Sequence, residues 1–189
     1  MADWQDAHMS RPTADVSVRV AWADDARGIA EVQVRAWRTT HAGLLPDDVL
    51  AGLDADALAA SWAQALSRPK DARNRVLVAL ERNRIVGFAV TSPAGDPDAD
   101  PVADGEVGEF CVDPGEHRLG HGSRLVQACA DTLSADRFTR AVTWVNSTDD
   151  VLRGFFESSG WAPDTAHREL DLRGDGAVTV KQVRLHTAL

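Results

Sequence analysis

Two hydrophobic periods take turns along this chain, and their succession lays out its elements. Val16, Val18 and Val20 alternate with Ser17 and Arg19, which predicts a half-buried strand over Val16–Trp22. Asp24-Asp25 then opens a helix to about Arg38. Acidic residues suit a first turn, and Ile29, Val32 and Ala36, widened by Trp37, recur at helical spacing. His41-Ala42-Gly43-Leu44-Leu45-Pro46 breaks the pattern and bends the chain. Leu58, Trp62 and Leu66, four apart, predict a second helix that closes before Pro69. These two helices part the first strand, an edge strand, from its neighbours in the sheet. Arg75–Leu80 and Ile85–Ser92 read as strands around a tight turn, Glu81–Arg84, in which Asn83 is the residue suited to positive φ.

Pro93–Gly105 is rich in Pro, Gly and Asp (Asp96, Asp98, Asp100, Asp104) and predicts an exposed loop. Its acidity either draws in a cationic substrate or is simply solvated. Glu106–Val112 is the next strand. A glycine loop follows, then a helix with Leu125, Val126, Cys129 and Leu133 on one face. Ala141–Val145 is a strand. Ser147 or Thr148 is placed to cap the next helix, whose first turn holds Asp149 and Asp150, whose inner face holds Leu152, Phe155 and Phe156, and which Gly160 stops. A hairpin ends the chain: Arg168–Arg173, a Gly174-Asp175-Gly176 turn, and Val178–Leu185. The order is βααβββαβαββ, with no internal repeat.

Composition narrows the class. At 189 residues, 44% hydrophobic and 26% charged, the chain reads as one ordinary domain over 14–189 behind a polar, flexible tail at 1–13. No apolar run approaches a membrane span, and the N-terminus lacks a secretory pattern. Cys111 and Cys129 both lie in apolar patterns, which points to a reduced, cytoplasmic protein. No Cys/His cluster has metal-ligand spacing, so no metal is expected. A net charge of −9 argues against nucleic acid and is compatible with a cationic substrate. A homodimer is compatible with the sequence, which names no surface for it.

The chemistry concentrates in Val107–Leu125. An apolar strand ends at Pro114, and Gly120-His121-Gly122 opens an amphipathic helix. Glycines there let backbone N–H groups approach a ligand, and the helix dipole favours an anion. Ser123-Arg124 after the glycines does not supply the Lys-Ser/Thr of a P-loop.

The order of elements and four blocks in sequence resemble the GCN5-related N-acetyltransferase (GNAT) superfamily over roughly Val16–Leu185. The blocks are Val18–Trp22 with Asp24-Asp25; Ala36-Trp37 through Gly43-Leu44-Leu45-Pro46; Val112-Asp113-Pro114 through Gly120-His121-Gly122; and Asn146 with Phe155-Phe156-Glu157-Ser158-Ser159-Gly160-Trp161. The third matches an acyl-CoA pyrophosphate loop, usually Arg/Gln-x-x-Gly-x-Gly/Ala. The first position of that loop is His117 here, followed by Arg118.

The resemblance implies an α/β (α+β) fold, with a mixed, mostly antiparallel sheet of about seven strands flanked by about four helices. It implies acetyl-CoA, or another acyl-CoA, as co-substrate and a small-molecule amine as acceptor. The coenzyme diphosphate would meet His117, Arg118, Leu119, Gly120, His121, Gly122 and Ser123, with Arg124 as a further charge. Pantetheine would meet Phe110, Cys111 and Val112, with Asn146, Phe155 and Phe156 nearby. Attack needs a neutral amine, hence a base. Glu106 lies where several members carry that base. Glu109 is the rival, on the opposite side of an ideal strand, unless a bulge intervenes; in a third reading neither carboxylate acts. The family's frequent general-acid Tyr falls on Phe156, and the chain contains no Tyr. Ser158, Ser159 or water would have to substitute; otherwise the domain only binds acyl-CoA. Cys111 is a further candidate, as an acyl-accepting nucleophile. His117 and His121 read as surface groups at the phosphate mouth. Trp37, Trp62 and Trp144 read as core, and by the resemblance Trp37 also sits where the first helices often line the acceptor pocket.

Overall fold

The computed structural model describes residues 16–171, 176 and 178–189. The tail expected at 1–13 and most of the expected 174–176 turn lie outside these residues. The elements run β1 (Val16–Val20), α1 (Ala26–Thr40), α2 (Asp47–Ala51), α3 (Ala55–Ser67), β2 (Arg75–Glu81), β3 (Arg84–Pro93), β4 (Asp104–Val112), α4 (His121–Ala135), β5 (Arg140–Asn146), α5 (Asp150–Ser158), β6 (Ala162–Asp171) and β7 (Thr179–Ala188). The strands form a seven-stranded sheet in the order β1-β2-β3-β4-β5-β7-β6. β4 and β5 are parallel; every other neighbouring pair is antiparallel. No helix among the described residues is long and apolar enough to cross a membrane.

Helices cover both faces. Against one face, Leu125, Val126, Cys129 and Leu133 of α4 and Phe156 of α5 pack on Leu77, Ala89 and Val107. Against the other, Ile29, Val32 and Ala36 of α1 pack on Val78, Phe88 and Cys111, with Trp37 and Trp62 alongside. Each fully buried Leu, Val, Ile or Phe among these contributes about 1.5–3 kcal/mol. Trp62 meets Phe88 edge-on at 5.3 Å and donates its Nε1–H to Gln33 at 2.8 Å, which satisfies the indole's polar atom.

The described residues hold five helices, in keeping with the expected count of about four. Several local details differ from expectation. The Pro46 bend leads into a short helix, α2, whose first turn is favoured by Asp47 and Asp48. β1 stops at Val20, and Trp22 beyond it is exposed. Asp25 makes no capping bond to α1. Its carboxylate takes the Arg19 guanidinium at 2.6 and 3.0 Å and the Trp22 N–H at 2.6 Å. In the β2–β3 turn the left-handed residue is Arg82 at φ 56°, not Asn83. Asp149 caps α5 through the Leu152 N–H, in place of Ser147 or Thr148. Gly160 ends that helix at φ 89°, as the sequence required.

The acidic loop between β3 and β4 is neither free nor merely solvated. Arg184 of β7, with its side chain 6% exposed, reaches Asp98 at 2.6 and 2.8 Å, Asp96 at 3.2 Å and Asp164 at 2.8 Å. Arg140 adds bonds to Asp104 at 3.4 Å and Asp164 at 2.6 Å. The hydrogen bonds from Arg184 lower the Asp98 pKa from 3.8 to about 2. A depressed carboxylate contributes stability that is present above its unfolded value and lost as pH falls through the folded one. Thermal melts should therefore show an acid limb between about pH 4 and pH 2 that is shallower in D98N than in the native chain.

Candidate functional site

The site begins where two strands part. The parallel pairing of β4 with β5 runs from Asp104↔Arg140 to Val107↔Thr143 and stops there. β4 continues to Val112, paired only with β3, and β5 continues to Asn146, paired only with β7. Backbone groups of Gly108–Val112 on the β5 side therefore line an open wedge. Such groups seek partners, and an extended ligand with amide groups can supply them.

The wedge leads to the N-terminus of α4. Asp113 leaves β4 with its N–H on Val86 O at 2.8 Å and its carboxylate on the Gly115 N–H at 3.1 Å and Arg35 at 2.8 Å. The His117 ring nitrogen Nε2 lies 3.1 Å from Val112 O. Arg118 at φ 63° and Gly120 at φ 84° turn the chain into the helix. The first helical bond is Arg124 N–H to Gly120 O at 3.2 Å, so the N–H groups of His121, Gly122 and Ser123 are left at the helix mouth. A Cβ on Gly122 would come within 3.3 Å of the Phe155 ring. Arg118 and Arg124 have no acidic partner among the described residues. Together these groups form a cradle for an anion.

His121 contributes only backbone to that cradle. Its side chain is 2% exposed, not at the surface, and its Nδ1 has no partner among the described residues. It lies by Glu81 and Glu116, with one ligand atom from each within 4.8 Å of the others. The two carboxylates already share a cation, since Arg84 bonds Glu81 at 2.8 Å and Glu116 at 2.5 Å.

Glu106 and Glu109 come to the same face of β4. The β3–β4 register shifts between Ala89 and Thr91, so Gly108 and Glu109 both lie opposite Val90. This bulge cancels the alternation that would part the two carboxylates. They are held differently. Glu109 Oε1 accepts the Trp37 indole N–H at 2.6 Å and the Cys111 thiol at 3.3 Å. Glu106 lies by Asp96 and Arg168. Burial, then the Asp96 charge, raises its pKa above the usual carboxylate value, against the pull of Arg168 and the Gly95 N–H. A raised pKa makes Glu106 a stronger proton acceptor than an ordinary carboxylate. Burial also holds His41, tilted on Trp37 at 5.3 Å, below the ordinary imidazole value, so the ring is neutral near pH 7.

The remaining candidates sort by burial. Phe156 is fully enclosed by Phe110, Phe155 and Trp161, with ring centroids 5.1–5.6 Å away. Phe110 and Phe155 meet at 5.7 Å, so these rings floor the wedge. Ser158 and Ser159 are tied back to Phe155 O at 2.8 and 2.9 Å, so neither hydroxyl is directed to the wedge as a proton donor. The Cys111 thiol is buried, and burial together with Glu109 pushes its pKa well above the ordinary thiol range, which disfavours a nucleophilic thiolate. Asn146 Oδ1 accepts from Gln182 Nε2 at 3.1 Å, which leaves its N–H₂ as donor. Trp144 is a face residue with its N–H on Asp96 at 3.0 Å, and not simply core. Arg168, Gln182 and Asp96 also belong to this face, although no motif marks the first two and Asp96 reads in the sequence only as part of a loop. Period-two alternation in β7, which puts Gln182 and Arg184 on one side, was the available signal.

Comparison with known proteins names the class. Residues 37–161 match the model of the Acetyltransferase (GNAT) family, and the chain belongs to that family. The uncharacterized N-acetyltransferase YuaI of Bacillus subtilis (strain 168) is 27% identical over 130 residues, 69% of this chain and 71% of that protein. The fold is shared with the PaiA N-acetyltransferase of Thermoplasma acidophilum, solved with coenzyme A (TM-score 0.69, 13% identity, 92% of this chain and 99% of that one). It is also shared with YncA of Salmonella typhimurium, a putative acetyltransferase solved with acetyl-CoA (TM-score 0.67, 18% identity, 93% and 94%).

Proposed function

We propose that this chain is an acyl-CoA-dependent N-acyltransferase that moves an acetyl group onto the primary amine of a small molecule by direct attack. The observation that carries the reading is the β4–β5 wedge, which opens beyond Val107, the neighbour of Glu106, and widens toward the α4 cradle. Family membership and the relatives solved with coenzyme A or acetyl-CoA support the choice of co-substrate.

In this reading the N–H groups from Leu119 to Ser123 take the coenzyme diphosphate, and Arg118 and Arg124 add charge-assisted bonds. The backbone of Phe110 and Val112 pairs with pantetheine, and the Asn146 N–H₂ donates to one of its amide carbonyls. Glu106 takes a proton from the ammonium, directly or through one water. The freed lone pair attacks the thioester carbonyl, while a β4 N–H donates to the oxyanion. The C–S bond breaks as the carbonyl re-forms, the sulfur leaves as thiolate, and the second proton on the nitrogen passes to that thiolate or to water, leaving a neutral amide and a thiol. A thiol of pKa about 8.5 is a tolerable leaving group without a general acid, so Phe156 is compatible with turnover.

Phe156 also motivates a second reading, a non-catalytic acyl-CoA-binding or sensor domain of the same fold. A panel of small amines with acetyl-CoA, read by thiol release, separates the two. Turnover supports the transferase. Tight coenzyme binding without turnover supports the sensor, and neither binding nor turnover overturns both. Substitution at Gly120 tests the cradle. G120A places a Cβ at φ 84°, and relaxing that strain moves the loop out of its binding form. Recovering that form costs about 1–2 kcal/mol, so calorimetry should show coenzyme A bound about tenfold more weakly.

A further inference from the structure

The face that carries Glu106 holds two arginines in different states. Arg184 is saturated: Nε, NH1 and NH2 all meet carboxylate oxygens, at 2.6–3.2 Å. Arg168 of β6 is not. Its Nε donates to Gln182 Oε1 at 2.8 Å, and its plane lies 4.3 Å over the Trp144 ring. The nearest carboxylate oxygen, on Asp96, is 3.7 Å from NH1, beyond hydrogen-bond reach. NH2 has no acceptor among the described residues. The side chain is 35% exposed.

The fixings that exist aim the guanidinium and do not fill it. Gln182 holds one edge, Trp144 holds one face, and the terminal N–H fork is left over. A fork of that shape matches a carboxylate bidentately. Gln182 also holds Asn146 at 3.1 Å, so the same residue positions both the arginine and the amide at the end of the wedge. Glu106, the group that would receive the ammonium, lies by Asp96 and Arg168 on the same face.

Resting on the transferase reading, we propose that the acceptor is an amino acid: its amine goes to Glu106 and its carboxylate to the Arg168 fork. Opposite charges on the protein then match opposite charges on one small zwitterion. A simple amine would leave the fork unmatched.

The test compares free amino acids with their carboxamides, which keep the amine and the side chain and lose the anionic group. The native chain should favour the acids in kcat/KM, with the difference in KM. R168Q should reduce the ratio of acid to amide by about ten- to a hundredfold, the range of a charge-assisted hydrogen bond. R168K, which keeps the charge and loses the fork, should retain part of the ratio. A native chain indifferent to the carboxylate, or an R168Q ratio equal to the native one, overturns the proposal. Calorimetry of the same compounds on the coenzyme-bound protein gives a readout without turnover. Binding of acids that is lost in R168Q supports the proposal even if no amine is acetylated. Equal binding of acids by both proteins, or none by either, contradicts it.

Discussion

E106Q is expected to lower turnover by about 10²–10⁴, the usual contribution of a positioned base, with coenzyme A binding unchanged. A primary amine of pKa about 10 is protonated at neutral pH and has no lone pair for attack. Glutamine keeps the shape of Glu106 and loses the acceptor. The cradle that would hold the diphosphate lies at the other end of the wedge, so affinity for the coenzyme is a separate quantity. The pH profile supplies a signature. A base acts only when ionised, and burial and Asp96 raise the Glu106 pKa. The acid limb of kcat/KM should therefore lie above the usual carboxylate range and vanish in E106Q. E109Q is the control, because the Glu109 carboxylate is already engaged by Trp37 and Cys111. A larger loss in E109Q than in E106Q would exchange their roles.

The largest stability effect is expected for R184M. Arg184 is buried and joins Asp96, Asp98 and Asp164, which come from a loop and from β6. Removing it leaves Asp96 and Asp98 without their main cation, while Asp164 keeps Arg140. Breaking a buried pair from one side costs about 3–5 kcal/mol. For a chain of this length that lowers Tm by about 6–20 °C. Because Asp96 also raises the Glu106 pKa, R184M should alter the pH profile as well as the melting curve. Scanning calorimetry of R184M beside D98N tests the order: the first should melt far below the second, since Asp98 is largely exposed and Arg184 is not.

Both effects depend on features with different visibility in the sequence. The element order was legible, because Val16–Val20, Ile29–Ala36 and Leu125–Leu133 repeat with clear periods. The cradle was legible too, because Gly120 and Gly122 are required by backbone geometry and by the approach of Phe155. The pairing of Glu106 with Glu109 on one face was not. It depends on a bulge opposite Val90, and an extra residue in a strand leaves no periodic mark. The ordering of the acidic loop was hidden for another reason: Arg184 lies 86 residues beyond Asp98 in sequence. The inward turn of His121, expected at the surface of the phosphate mouth, was hidden because two flanking glycines give no apolar period from which to tell the buried side of the first turn of α4. Local pattern thus placed the backbone that would hold the coenzyme, and long-range contacts built the face that would hold the acceptor.

The most direct test is a crystal structure of the protein with acetyl-CoA bound. The diphosphate is expected on the N–H groups from Leu119 to Ser123, pantetheine inside the β4–β5 wedge, and the thioester opening onto the face that carries Glu106. A diphosphate seated elsewhere, or a thioester on the side of the sheet away from Glu106, would contradict this arrangement.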